Sequence, residues 1–89
     1  LNASMVGRTI CAVKGVVAVH DVHIWSVCSE ITVVTAHIAV KDAKLSKTHK
    51  IYEDIEKALW DKHEVTHVTL QFETIDYACE KFGVCQVCH

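Results

Sequence analysis

Residues 45–73 read LSKTHKIYEDIEKALWDKHEVTHVTLQFE, and this stretch decides the fold. Leu45, Thr48, Ile51, Tyr52, Ile55, Ala58 and Leu59 recur at three- and four-residue spacings, which predicts a helix over 45–63 with one apolar stripe. Lys50, Glu53, Asp54, Glu56, Lys57 and Asp61 fall on the opposite face, whose plainest role is solvation, and Ser46 is placed to cap the start. From Thr66 to Glu73 the period changes to two. Val68, Leu70 and Phe72 alternate with His67, Thr69, Gln71 and Glu73, the pattern of a strand with two unlike faces.

Upstream of this helix–strand pair, Ile31 to Val40 is expected as a strand. A turn at Ser29-Glu30 joins it to an earlier strand over Val16–Cys28, so the two should form an antiparallel hairpin. The alternation of the earlier strand slips near His20-Asp21, where a bulge is expected. Asn2 to Lys14 reads as a helix, with Val6, Ile10 and Val13 at helical spacing and Gly15 following as a stop. Lys41 to Lys44 is a polar connection.

The element order is therefore helix, strand, strand, helix, strand. A hairpin followed by a helical crossover returns the third strand parallel to the second through a right-handed connection. Both helices then cover one face of a three-stranded mixed sheet. The expected fold is α+β, a ferredoxin-like open-faced sandwich of αββαβ order. This unit should occupy residues 1–76, with 77–89 a cysteine-rich tail.

The whole chain has 89 residues, 51% apolar and 22% charged, with a net charge of −2 when histidines are neutral. That length suits one domain burying roughly 60–65% of its unfolded surface, and the composition excludes a disordered tail. The lysines are scattered, so the basic patch of a nucleic-acid binder is missing. The sequence has no 18-residue apolar run and no signal-peptide pattern. It opens on Leu1 rather than methionine, as expected of a fragment of a longer protein.

Seven histidines and five cysteines stand out against this background. Turning Val68, Leu70 and Phe72 toward the helices points His67 and Glu73 at the uncovered face. On the second strand Val34, Ala36, Ile38 and Val40 are the corresponding apolar set, which turns His37 outward with Ile31, Val33 and Thr35. His20 is the natural contribution of the first strand. Imidazoles and a carboxylate from strands about 4.8 Å apart can converge, and such a donor set suits Zn²⁺, with Co²⁺, Ni²⁺ or Cd²⁺ also accepted. Taken singly, a histidine is more often surface or core than ligand. His23, beside Trp25, is expected to pack or bond within the fold, and His49 and His63 read as solvated helix surface. His49, near its helix start, and Asp21, beside His20, are further candidate ligands. The uncovered face is half apolar, with Ile31, Val33 and Ala39 meeting water in a monomer, which suggests a two-fold homodimer.

Cys79, Cys85 and Cys88 crowd the end of the chain, and Cys85-Gln-Val-Cys88-His89 places two thiols and an imidazole where they can grip one ion. The alternatives for this tail are disorder or a disulfide. Cys11 and Cys28 sit among apolar residues and read as small core fillers.

Three blocks now carry a resemblance: GVVAVHDVHIW over 15–25, Ala36-His37-Ile38, and HVTLQFE over 67–73. In this order and spacing they resemble the cytoplasmic C-terminal domain of cation diffusion facilitator transporters, and most of all the zinc, cobalt and cadmium branch that ends in a Cys-x-x-Cys tail. The resemblance implies a metallochaperone-like αββαβ domain on the cytoplasmic face of the membrane. It also implies a homodimer, joined to a membrane domain of the same polypeptide that exchanges Zn²⁺ for protons. His20, His37, His67 and Glu73 then match the family's ligands, and Cys85 and Cys88 its terminal thiol pair. Cys79 and His89 have no family counterpart. The chain departs from some bacterial members in carrying Gln71 and Glu73 where those have a His and an Asp, and Lys14 where a proline is common.

The expected function is a metal-sensing and dimerisation domain of a proton-coupled zinc-type efflux transporter, not an enzyme. Ion binding would favour the transport-active dimer by linkage. A free-standing metal carrier of the same fold and a zinc hydrolase are the competing classes. A carrier would show its thiol pair near the chain's start, and a hydrolase would need a pocket that these short loops do not build.

Overall fold

The computed structural model describes residues 1–84 and 88. The elements are α1 (Ala3–Cys11), β1 (Ala18–Cys28), β2 (Ile31–Val40), α2 (Leu45–His63), β3 (His67–Thr74) and α3 (Ile75–Phe82). The strands lie in the order β1-β2-β3, with β1 antiparallel and β3 parallel to β2. This is the expected αββαβ sandwich with one helix added.

The core lies between the sheet and the first two helices. Val34, Ala36, Ile38 and Val40 of β2 meet Val6 and Ile10 of α1 and Ile51, Ile55 and Leu59 of α2, all buried. Alternation along β2 and the stripe on α2 thus fold against each other as their periods dictate.

Element ends differ from expectation where local hydrogen bonding overrides the apolar pattern. Asn2 caps α1, its side chain accepting from the Met5 N–H at 3.0 Å. The helix stops at Cys11 rather than Lys14. Gly15 instead makes a turn with φ of +99°, and a Cβ there would stand 2.8 Å from Ile51 Cδ1. Ser46 lies inside α2; Lys44 takes the cap position without a side-chain bond, and Thr48 Oγ1 donates to the Leu45 carbonyl at 2.7 Å. Glu64 closes α2 in the left-handed region at φ 56°, its N–H reaching the Trp60 carbonyl at 2.9 Å.

The helix α3 falls where a tail was expected. Thr74 caps it by accepting from the Tyr77 N–H at 3.2 Å, and Gly83 ends it at φ 69°. Its Ala78 packs against Ala18 and Ala39, so Ala39 is buried rather than exposed and one end of the second sheet face is covered.

Two cysteine readings are corrected as well. Cys11 forms a disulfide with Cys88, with Cα atoms 5.4 Å apart, and Cys28 is an exposed free thiol at the end of β1. The Cys88 N–H donates to the carbonyl of Val17, just before β1, at 2.7 Å. At the other margin of the sheet the Tyr52 hydroxyl of α2 donates to the Val68 carbonyl of β3 at 2.5 Å.

Candidate metal centre

The cluster grows from strand register. His20 pairs directly with His37 across β1 and β2. Glu73 of β3 lies opposite Ala39, two residues beyond His37 along β2, and on the same face. The two imidazole centroids lie 4.8 Å apart in a T-shaped arrangement. His20 Nε2 bonds Glu73 Oε1, and His37 Nδ1 stands 3.8 Å from Glu73 Oε2. One donor atom from each of His20, His37 and Glu73 lies within 4.8 Å of the other two.

Burial makes this arrangement informative. The Glu73 side chain is 3% exposed, and those of His20 and His37 are 16% and 23% exposed. Phe82 of α3 closes the site from above, with ring centroids 5.1 Å from His20 and 5.9 Å from His37. Among the described residues, His37 Nδ1 and Glu73 Oε2 are buried without a hydrogen-bond partner. A buried carboxylate oxygen facing a buried ring nitrogen is costly unless something between them satisfies both. Donors around a tetrahedral ion with bonds near 2.0–2.1 Å are about 3.3 Å apart, so the observed gap closes on an ion with a small movement. The donors fit a divalent cation of the zinc type.

A bulge in β1 arranges the rest of this face. Two residues, Asp21 and Val22, occupy β1 between the pairs His20–His37 and His23–Thr35, against the single Ala36 on β2. Asp21 sits at φ 55°. The extra residue lets His20 and His23, three apart in sequence, share one face. Asp21 Oδ1 accepts from His23 Nε2 at 3.0 Å, and its Oδ2 stands 3.6 Å from His37 Nε2. His23 also stacks on Trp25, with centroids 5.9 Å apart.

The other candidates lie elsewhere. His67 has the expected face but the wrong rung. It pairs with Val33, four residues before His37, a separation of about 13 Å along the strand. His49 is exposed on α2, on the far side of the sheet from the cluster. His63 is not simply solvated; its Nε2 is 2.8 Å from Thr9 Oγ1 and ties α2 to α1. Cys88 is held in its disulfide, and Cys79 is also engaged rather than a free thiol. Cys85 and His89 lie outside the described residues. Sequence reasoning missed Phe82, whose helix was signalled by Thr74 and Gly83 at its two ends.

Comparison with known proteins agrees with this architecture. Residues 2–75 match the family described as cation efflux protein, cytoplasmic domain. The chain is 37% identical over 80 residues to a cadmium, cobalt and zinc/H(+)-K(+) antiporter of Bacillus velezensis, covering 89% of this chain and 25% of that protein. It is 35% identical over 86 residues to the metal cation efflux system protein CzcD of Cupriavidus metallidurans, covering 97% of this chain and 26% of that protein. The metal-bound C-terminal domain of CzcD superposes with a TM-score of 0.70 at 33% identity, covering 82% of this chain and 99% of that one. The manganese form of the MamM C-terminal domain, at 16% identity, shares the fold with a TM-score of 0.71, covering 80% of this chain and 91% of that one. The chain thus spans about a quarter of the length of the transporters it matches, and among the described residues no helix is long and apolar enough to cross a membrane. By sequence and by fold, this chain belongs to the cation efflux protein family, as its cytoplasmic domain.

Proposed function

We propose that this domain senses a divalent cation of the zinc type for a proton-coupled efflux transporter, and that ion binding favours the transport-active dimer arrangement. The observation that carries the reading is the partnerless pair inside the cluster, His37 Nδ1 and Glu73 Oε2, buried beside His20. The donor set is nitrogen and oxygen, which selects zinc, cobalt, nickel or cadmium over magnesium or calcium. Relatives that carry this domain are antiporters of cadmium, cobalt and zinc, and the CzcD domain is a metal-bound one. On this reading the rest of the transporter is a membrane domain of the same polypeptide, and the domain stands on the cytoplasmic side.

The mechanism is mass action. An ion that binds one arrangement of two protomers better than the other shifts the population toward it by the ratio of its affinities. The partner is a second copy. Away from α3 the hairpin leaves Trp25 52% and Val27 70% exposed, an apolar area suited to a two-fold contact.

Calorimetric titration of Zn²⁺ into the metal-free domain, with mass followed by light scattering, tests the proposal. Saturable micromolar binding that tightens the dimer is expected, with His37→Ala weakening it at least tenfold. Equal binding by the His37→Ala variant would overturn the assignment of the ion to this cluster, and an unchanged dimer equilibrium would overturn the coupling.

A further inference from the structure

We propose that Asp21 is the positioning residue of the cluster: its carboxylate faces Nε2 of His37, keeps the ring proton there, and so presents the lone pair of Nδ1 to the cation. This rests on the cation-binding reading above and adds to it the residue that sets the tautomer of the shared ligand.

A neutral imidazole carries one N–H, and which nitrogen holds it depends on what each nitrogen faces. In His37 the two nitrogens face opposite carboxylates. Nδ1 stands 3.8 Å from Glu73 Oε2, and Nε2 stands 3.6 Å from Asp21 Oδ2. With the proton on Nδ1, the ring opposes entry of a cation at Glu73. With the proton on Nε2, a lone pair and a carboxylate oxygen face each other across a gap that a cation fills. Asp21 favours the second arrangement by its charge, at 3.6 Å just beyond hydrogen-bond distance, and a small closing movement would give the histidine N–H to carboxylate bond that is common around metals.

The local backbone supports the assignment. Asp21 occupies the bulge at φ 55°, a conformation open to aspartate and asparagine but strained for most side chains. Without the bulge, alternation would place Asp21 on the helix side of β1, away from His37. His23 completes the arrangement, since its Nε2 bonds Asp21 Oδ1 at 3.0 Å and fixes the carboxylate's direction. Asp21, His23 and His37 line one groove with Thr35, Thr69 and Gln71.

Two substitutions that tolerate the left-handed backbone test this on the whole chain. Asp21→Gly removes the carboxylate, and Asp21→Asn keeps an acceptor oxygen without the charge. For Zn²⁺, Asp21→Gly is expected to weaken binding by about 10- to 100-fold at unchanged stoichiometry, with Asp21→Asn between it and the parent. Long-range ¹H–¹⁵N spectra of the zinc-loaded parent should show His37 protonated at Nε2 and coordinated through Nδ1, and the Co²⁺ absorption spectrum should keep its shape in Asp21→Gly. Affinity within threefold of the parent, coordination through Nε2, or loss of a ligand from the Co²⁺ spectrum would each overturn the positioning role. If the parent itself binds Zn²⁺ no better than His37→Ala does, the cation-binding reading fails instead.

Discussion

Tyr52 shows how one side chain ties burial, sheet geometry and pH together. Its phenol is held above the ordinary value of 10.0, first by burial and then by the nearby charge of Glu56, while a backbone hydrogen bond from Leu70 opposes them. A raised folded-state value keeps the phenol protonated in the native state after the unfolded chain has ionised, so its contribution is intact below pH 10 and is lost as pH rises beyond it. Stability measured by urea unfolding should fall as pH is taken above about 10, and Tyr52→Phe should flatten that fall. At neutral pH the same substitution should cost about 1 kcal/mol, because the Val68 carbonyl loses its donor. Gly15 is the other residue whose identity is fixed by its surroundings. Gly15→Ala meets a positive φ and the Ile51 side chain together, and a loss of about 1–3 kcal/mol in the same assay is expected.

At the scale of elements, helix ends hold the most easily improved positions. Glu64 spends a left-handed conformation on a side chain that prefers otherwise, so Glu64→Gly should raise stability by up to about 1 kcal/mol, read as a higher denaturant midpoint. The strands and first two helices were legible because each carries one clear period. The alternation of 66–73 named the face of Glu73 correctly, and the slip at His20-Asp21 announced the bulge. Parity names a face but not a rung, which is why His67 shares the right side of the sheet yet sits opposite Val33. Rung is set by pairing with β2, a long-range matter that local pattern does not encode. The helix α3 is only two turns long and buries a single residue, Ala78, so it carries too short an apolar period to stand out in the sequence, although Thr74 and Gly83 mark its ends.

Across the whole molecule the Cys11–Cys88 disulfide joins positions 77 residues apart in sequence and ties the chain end to α1. Closing so long a loop restricts the unfolded chain, and reduction should lower stability by about 2–4 kcal/mol; a thermal or urea transition unchanged by reductant would contradict this. The two layers on either side of the sheet also divide the labour. One is a packed core of α1 and α2, and the other combines α3, the His20–His37–Glu73 cluster and an apolar hairpin face. Sequence showed the first layer almost completely. The second depends on the pairing of β3 and on the docking of Ala78, and both are tertiary events.

The Tyr52 hydroxyl at Val68 and the Cys88 amide at Val17 have one more implication. Tyr52 occupies an acceptor on the outer margin of β3, where an unrelated strand would otherwise find a template, and Cys88 anchors the segment that leads into β1. A strand adding to β3 would first have to displace the Tyr52 hydroxyl.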